Sequence, residues 1–159
     1  MQTWTTMDSP IGELVLVNTN GVLSELHMRK PRGASPGAAT ARGFEHATSE
    51  LTEYFRGERT EFTLEIAPTG SEFQLRVWEE LLRIPYGETR SYGEVARALG
   101  DRGLAREVGW ANARNPIAIV VPCHRVIGSD GSLTGYAGGL ERKRHLLDLE
   151  AGRPALFAV

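Results

Sequence analysis

The sequence holds a single cysteine, Cys123, and only four histidines among 159 residues. One cysteine cannot close an internal disulfide or build a cysteine-rich zinc site. The histidines are widely separated, except that His124 stands beside Cys123, and show no metal-ligand spacing, so no metal is expected. No apolar run approaches the roughly 18 residues that suggest a membrane span. The start Met1-Gln2-Thr3-Trp4 lacks the basic-then-apolar pattern of a signal peptide, so a cytoplasmic protein is the expectation. Charge of one sign is also missing: 18 basic and 20 acidic residues leave a net charge of −2, which argues against a generally sticky polycation. Residues 1–68 carry six Arg and Lys against nine Asp and Glu, and 69–159 carry twelve against eleven, so the basic residues lean to the second half. Neither the Walker nor the dinucleotide-binding glycine pattern occurs, and no nucleotide cofactor is expected.

What is present is an ordinary globular composition, 41% hydrophobic, in a length that fits one domain or two small ones sharing an interface. The first 28 residues alternate β-rich runs, Thr3–Met7, Glu13–Val17 and Val22–Met28, with the turn clusters 8–12 and 18–21, which predicts an antiparallel meander. A Pro/Gly/Ala/Ser-rich stretch from Lys30 to Gly43 is expected to be a mobile loop. Leu51, Tyr54 and Phe55 share a helical face over Glu45–Arg56, and alternating Phe62, Leu64 and Ile66 suggest a further strand. This half reads as scaffold without concentrated chemistry.

Character changes at Pro68-Thr69-Gly70. Ser71 followed by Gln74 is a capping box opening a helix with Phe73, Val77, Trp78 and Leu81 inward. Ser91 and Glu94 form a second box, opening a short helix that Gly100 ends, and a third helix over 103–113 stops before Asn115-Pro116. The last two have the dimensions of a helix-turn-helix, although such pairs also occur as plain packing units. Arg97, Arg102, Arg106 and Arg114 around it could contact phosphate. Leu140 to Glu150 reads as a final helix, with Leu140, Leu146, Leu147 and Leu149 for packing and Gly152 and Pro154 as its stop. The whole is an α+β chain. An N-terminal small antiparallel sheet with a helix spans 1–68, and a mostly helical domain with a winged-helix-like helix-turn-helix spans 69–159.

The apolar run Ile117–Val121 leads into Pro122-Cys123-His124-Arg125-Val126-Ile127, so a proline-stiffened turn presents the cysteine at the end of a buried segment. A buried thiol packs as a small hydrophobe and is inert, unless a base or cation raises its thiolate fraction, for which His124 and Arg125 are the candidates. Neighbours on an extended strand point to opposite sides, so contact between His124 and the sulfur needs a local turn or a bridging water. The glycine-rich loop 128–139 beyond it permits close backbone approach to a ligand.

The motif Pro122-Cys123-His124-Arg125-Val126-Ile127 resembles the active-site signature of the O6-alkylguanine-DNA alkyltransferases, PCHRV followed by an apolar residue. The resemblance extends through Ile84 to Tyr92, Asn115-Pro116 and Tyr136 to Leu140, covering essentially all of 71–150. It implies a repair protein that binds double-stranded DNA containing O6-alkylguanine in the minor groove, as a monomer and without a cofactor. The target nucleotide is flipped out and its alkyl group moves irreversibly to Cys123. By the same resemblance His124 is the base acting through a water, Glu150 orients it in place of being a solvated carboxylate, and Asn115 orders the turn. Tyr136, Val126 and Ala137 would line the guanine pocket, Arg106 would fill the vacated stack, and Tyr92 would promote rotation of the nucleotide and help protonate the leaving guanine. Ser129 would join Arg97, Arg102 and Arg114 in holding DNA. Trp110 stands where the family usually has a small residue, and Ala137 where some members have serine. Two other classes remain to be separated from this one: a non-catalytic binder of damaged DNA and a cysteine hydrolase.

Overall fold

A computed structural model of the chain describes residues 1–28 and 37–152. Three strands, β1 (Gln2–Met7), β2 (Leu14–Thr19) and β3 (Val22–His27), form the expected meander. The Asn20-Gly21 pair makes the second hairpin, both residues taking positive φ, as a tight reversal between right-twisted strands requires. The sheet order is β3-β2-β1-β4, and β4 (Ala38–Ala39) pairs parallel to β1, so the sheet is mixed at one edge where sequence had suggested a purely antiparallel one. Of the expected loop 30–43, residues 30–36 lie outside the described residues; the rest supplies β4 and the turn into α1 (Glu45–Phe55).

Phe62, Leu64 and Ile66 do not form the expected strand. One isolated bridge joins Ile66 to Leu23, and the Ala67 N–H donates to the Leu23 carbonyl. The segment is held by side chains instead. Buried Glu50 on α1 accepts from the backbone N–H and the hydroxyl of Thr63 and pairs with Arg59, so a carboxylate does the work that a ladder would have done.

The second half follows its capping signals closely. Both hydrogen bonds of each box are present at Ser71/Gln74 and Ser91/Glu94, opening α2 (Glu72–Leu81) and α3 (Tyr92–Ala98). After Gly100, at φ +103, a single 3-10 turn over Arg102–Leu104 starts the third helix tightly, and α4 (Ala105–Ala113) continues it. Val77, Trp78 and Leu81 are buried as expected, with Phe73 at the margin. The last helix, α5 (Leu140–Glu150), buries Leu146, but Leu140 is 49% exposed, contrary to its expected packing role. Gly152 adopts positive φ past its end; the second expected stop, Pro154, lies outside the described residues.

One hydrophobic cluster runs through both halves, from Leu14, Leu16 and Leu26 on the sheet to Val77, Leu81, Val108, Ile117 and Leu146. Backbone contacts cross with it. The Leu26 N–H donates to the Pro116 carbonyl and its carbonyl accepts from Ala118, so β3 is the shelf on which the segment before Cys123 rests. On the other side β5 (Arg90–Ser91) pairs parallel with β6 (Val126–Ile127), tying the start of α3 to the residues just after Cys123.

Candidate active site

The turn from Asn115 to Cys123 is built by one amide side chain. Asn115 accepts from the Ile117 N–H at 3.0 Å through Oδ1 and donates to the Val121 carbonyl at 2.8 Å through Nδ2, spanning the whole apolar run. Within that span Ile119 is driven to φ +72, a left-handed conformation that a β-branched residue adopts only when its surroundings over-determine it. Asn112 on α4 donates to the Cys123 carbonyl at 3.2 Å.

Cys123–Arg125 form a 3-10 turn, which supplies the local turn that adjacency of Cys123 and His124 demanded. Both side chains are buried, His124 completely. His124 Nε2 and Glu150 Oε2 lie 2.7 Å apart. Burial pushes the imidazole below its usual range, so it is the neutral ring, with hydrogen on Nε2 toward the carboxylate. The other ring nitrogen, Nδ1, has no hydrogen-bond partner among the described residues. A neutral imidazole oriented through one nitrogen, with the lone pair on the other unpartnered, is able to accept a proton.

Glu150 is itself held strongly. Burial alone would raise its proton affinity, but the hydrogen bonds from His124 and Arg125 overrule that and lower it to about 2. Arg125 donates to Oε1 from Nε at 2.7 Å and to Oε2 from Nη2 at 3.0 Å, and its Nη1 reaches the Ile84 carbonyl at 2.7 Å. This corrects one expectation. Arg125 is committed to Glu150 and the backbone, so of the two candidates only His124 keeps a nitrogen without a partner among the described residues.

The resting thiol departs from the expectation of a raised thiolate fraction. Burial pushes Cys123 up from its ordinary value, and the side-chain hydrogen bond from Asn115 and the charge of Lys143 only partly offset this. The sulfur is therefore protonated until a base takes its proton. Lys143 was not anticipated from sequence. It is fully buried on α5, donates to the carbonyls of Val126 at 2.6 Å and Thr134 at 2.8 Å, and is lowered by burial to about 8. It thus ties Val126, just before the glycine-rich loop, and the middle of that loop to the helix that carries Glu150.

Tyr136 lies half-buried against that loop, its hydroxyl 3.2 Å from Met28 Sδ. Gly138 permits this, because a Cβ there would fall 2.5 Å from that sulfur and 2.7 Å from the tyrosine ring. Val126 is buried beside Cys123, whereas Ala137 and Ser129 are exposed on the loop. Tyr92, first residue of α3, packs its ring toward Gly109 on α4, and its hydroxyl donates to the Thr134 carbonyl at 3.3 Å. Arg97, Arg102, Arg106 and Arg114 are all exposed along the α3–α4 unit, and Arg114 also donates to the Trp110 carbonyl. Trp110 is 58% exposed, one turn beyond Arg106 on the same side of α4, so it does not disturb the packing beneath.

Sequence reasoning treated the first half as scaffold, and one residue there contradicts it. Tyr54 of α1 is fully buried and donates from its hydroxyl to Glu150 Oε2 at 2.6 Å. The only signal was its place on the inward face of α1, which marks a core residue and says nothing of its hydroxyl. Among the described residues no group of three or more His, Cys, Asp or Glu could hold a metal ion.

Residues 72–152 match the sequence model of the 6-O-methylguanine DNA methyltransferase DNA binding domain, and residues 3–68 match that of the ribonuclease-like domain of the same proteins. A methylated-DNA–protein-cysteine methyltransferase of Mycobacterium leprae is 56% identical over 147 residues, covering 91% of this chain and 89% of that protein. The protein of the same description from Methanosarcina acetivorans is 46% identical over 147 residues, covering 90% and 94%. The crystal structure of Mycobacterium tuberculosis OGT in complex with DNA is similar with a TM-score of 0.92 and 51% identity, covering 98% of this chain and 96% of that one.

Proposed function

Because the chain belongs to the 6-O-methylguanine DNA methyltransferase family, we propose that Cys123, His124 and Glu150 are where it performs that family's chemistry. The protein repairs DNA by transferring an alkyl group from O6-alkylguanine to its own cysteine, and Cys123 is the only cysteine it has. The observation that carries the assignment of roles is the free Nδ1 of a neutral, buried His124 whose Nε2 is fixed on an ionised Glu150.

The thiol proton passes to Nδ1, directly or through one water, and the sulfur attacks the alkyl carbon. A sulfur–carbon bond forms as the carbon–O6 bond breaks, and that electron pair passes into the guanine, which takes up one proton as it leaves. Tyr92 is assigned to help deliver it. Thiol and alkylguanine become thioether and guanine, with nothing else consumed. A thioether lacks the easy hydrolytic release of an acyl intermediate, so each molecule acts once.

The alkyl carbon is inaccessible inside stacked duplex, and extrusion of the nucleotide costs a few kcal/mol. Arg106, exposed on α4, is assigned to fill the gap, and Tyr92 to promote the rotation. Tyr136, Val126 and Ala137 are assigned to the guanine pocket, and Asn115 to ordering the turn that carries Cys123. Arg97, Arg102, Arg114 and Ser129 are assigned to the DNA backbone, and their common exposure around α3, α4 and the loop supports this. We place the division between the two domains at 68/69, and read the protein as a cytoplasmic monomer; no helix among the described residues is long and apolar enough to cross a membrane.

The test is intact mass and peptide mapping of reduced protein after incubation with a duplex bearing O6-methylguanine. One methyl retained per chain on Cys123 is expected, and Cys123→Ser should abolish transfer while sparing DNA affinity. Repeated product release would indicate a hydrolase, and binding with unaltered mass a non-catalytic binder; either overturns the proposal.

A further inference from the structure

We propose that Tyr54 is a positioning residue of the alkyl transfer: its hydroxyl holds Glu150 Oε2 and so keeps His124 in the neutral form that can take the thiol proton. The inference rests on the reading of His124 as base and deepens it. Tyr54 lies 96 residues from Glu150 in sequence, on the helix of the other half of the chain.

The carboxylate shows why the hydroxyl matters. Oε2 is shared by Tyr54 at 2.6 Å, His124 at 2.7 Å and Arg125 Nη2 at 3.0 Å, while Oε1 takes Arg125 Nε at 2.7 Å. Each donor draws electron density from the carboxylate and makes it a weaker partner for an imidazolium. Glu150 thus orients the imidazole without being basic enough to hold it charged. A protonated His124 would have no lone pair for the thiol, so the donors that compete with it on Oε2 preserve the base.

Tyrosine suits this position. Its hydroxyl is neutral, and burial followed by the charge of Glu150 raises it well above its ordinary value, so it remains a donor wherever imidazole titrates. The ring is fixed by Phe55 at 5.3 Å, Phe62 at 5.4 Å and Tyr86 at 6.3 Å between centroids, so the core sets the hydroxyl's position. Phenylalanine would satisfy the same packing, so the hydroxyl needs its own reason. The other groups facing His124 and Glu150 are accounted for. Arg125 and Lys143 disfavour a charged ring, Cys123 precedes it on the same turn, and Tyr86 points its hydroxyl toward the Leu149 carbonyl, 3.5 Å away.

The experiment is the single-turnover rate of methyl transfer from O6-methylguanine duplex, for wild type and Tyr54→Phe, between about pH 5 and about pH 8.5, across the range where histidine charges. With the hydroxyl gone, Oε2 becomes more basic and His124 takes a proton at higher pH. The rate of Tyr54→Phe relative to wild type should fall steadily toward acid, roughly threefold across the range, with DNA affinity unchanged. A ratio constant with pH, at any value, overturns the inference. Replacing Tyr54 with 3-fluorotyrosine, a stronger donor of nearly the same shape, should raise the relative rate toward acid. Should Tyr54→Phe not fold, an unaltered profile for this second variant is equally decisive. The underlying reading fails separately: wild type not modified on Cys123, or His124→Gln transferring as fast as wild type, removes the base itself.

Discussion

Glu150 is tolerated in the interior only as an anion, since its partners on both oxygens are donors and two of them come from a guanidinium. Its proton affinity falls from 4.5 to about 2 on folding, so the unfolded chain binds a proton there that the folded chain refuses. The resulting stability is fully present above about pH 4.5 and drains away as the pH falls toward 2. His124 acts in the same direction. Burial lowers it from 6.5, so below that value unfolding gains a proton at this ring as well. Urea unfolding measured at several pH values should therefore give a stability that declines from about pH 6.5 downward. Glu150→Gln should flatten the lower part of that decline, and at pH 7 should lose about 3 to 5 kcal/mol, because Arg125 would stay buried without its anion. A loss below about 1 kcal/mol at pH 7 would mean that solvent reaches Arg125 after all.

At the level of elements, the signals that read true were local. Ser91 and Glu94 carry both halves of a capping box within four residues, and the geometry follows from the backbone donors that any helix start exposes. Cys123 and His124 were legible as candidates for the same reason: they are consecutive, and the 3-10 turn supplies the local turn that their pairing calls for. The failures are long-range. Alternation at Phe62, Leu64 and Ile66 describes a half-buried edge, but strand formation needs a neighbour's free backbone, and Thr63 was taken by Glu50 instead. Tyr54 read as a core aromatic and Lys143 was not singled out, because their partners arrive only with the tertiary fold. The box at Ser91 also bears on function, since it fixes where Tyr92 begins α3. Ser91→Ala should cost about 1 kcal/mol of stability, seen as a lowered denaturation midpoint, and should slow repair of duplex more than it slows reaction with a free base such as O6-benzylguanine. Equal slowing on both would place the effect in the site and not in the DNA-handling helices.

Over the whole molecule a net charge of −2 would repel DNA if it were spread evenly, so binding depends on where the cations stand. Arg97, Arg102, Arg106 and Arg114 are gathered on α3, α4 and the turn between them, while the first half carries the acidic excess. Each phosphate neutralised on duplex DNA releases condensed counterions, and the logarithm of the binding constant falls by about 0.9 per contact for each tenfold rise in salt. With all four arginines on phosphate the slope would be about −3.6; with Arg106 inserted into the base stack instead, about −2.7. The two roles separate by mutation. Alanine at Arg97, Arg102 or Arg114 should make the slope shallower by about 0.9 and weaken binding to any duplex alike. Alanine at Arg106 should leave the slope nearly unchanged while slowing methyl transfer, because an intercalated guanidinium stabilises the extruded state and not the encounter. Fluorescence anisotropy of a labelled duplex over a salt series reads the slope. A steep slope that Arg106→Ala reduces like the others would make it a backbone contact, and the flipped nucleotide would need another residue to fill its place.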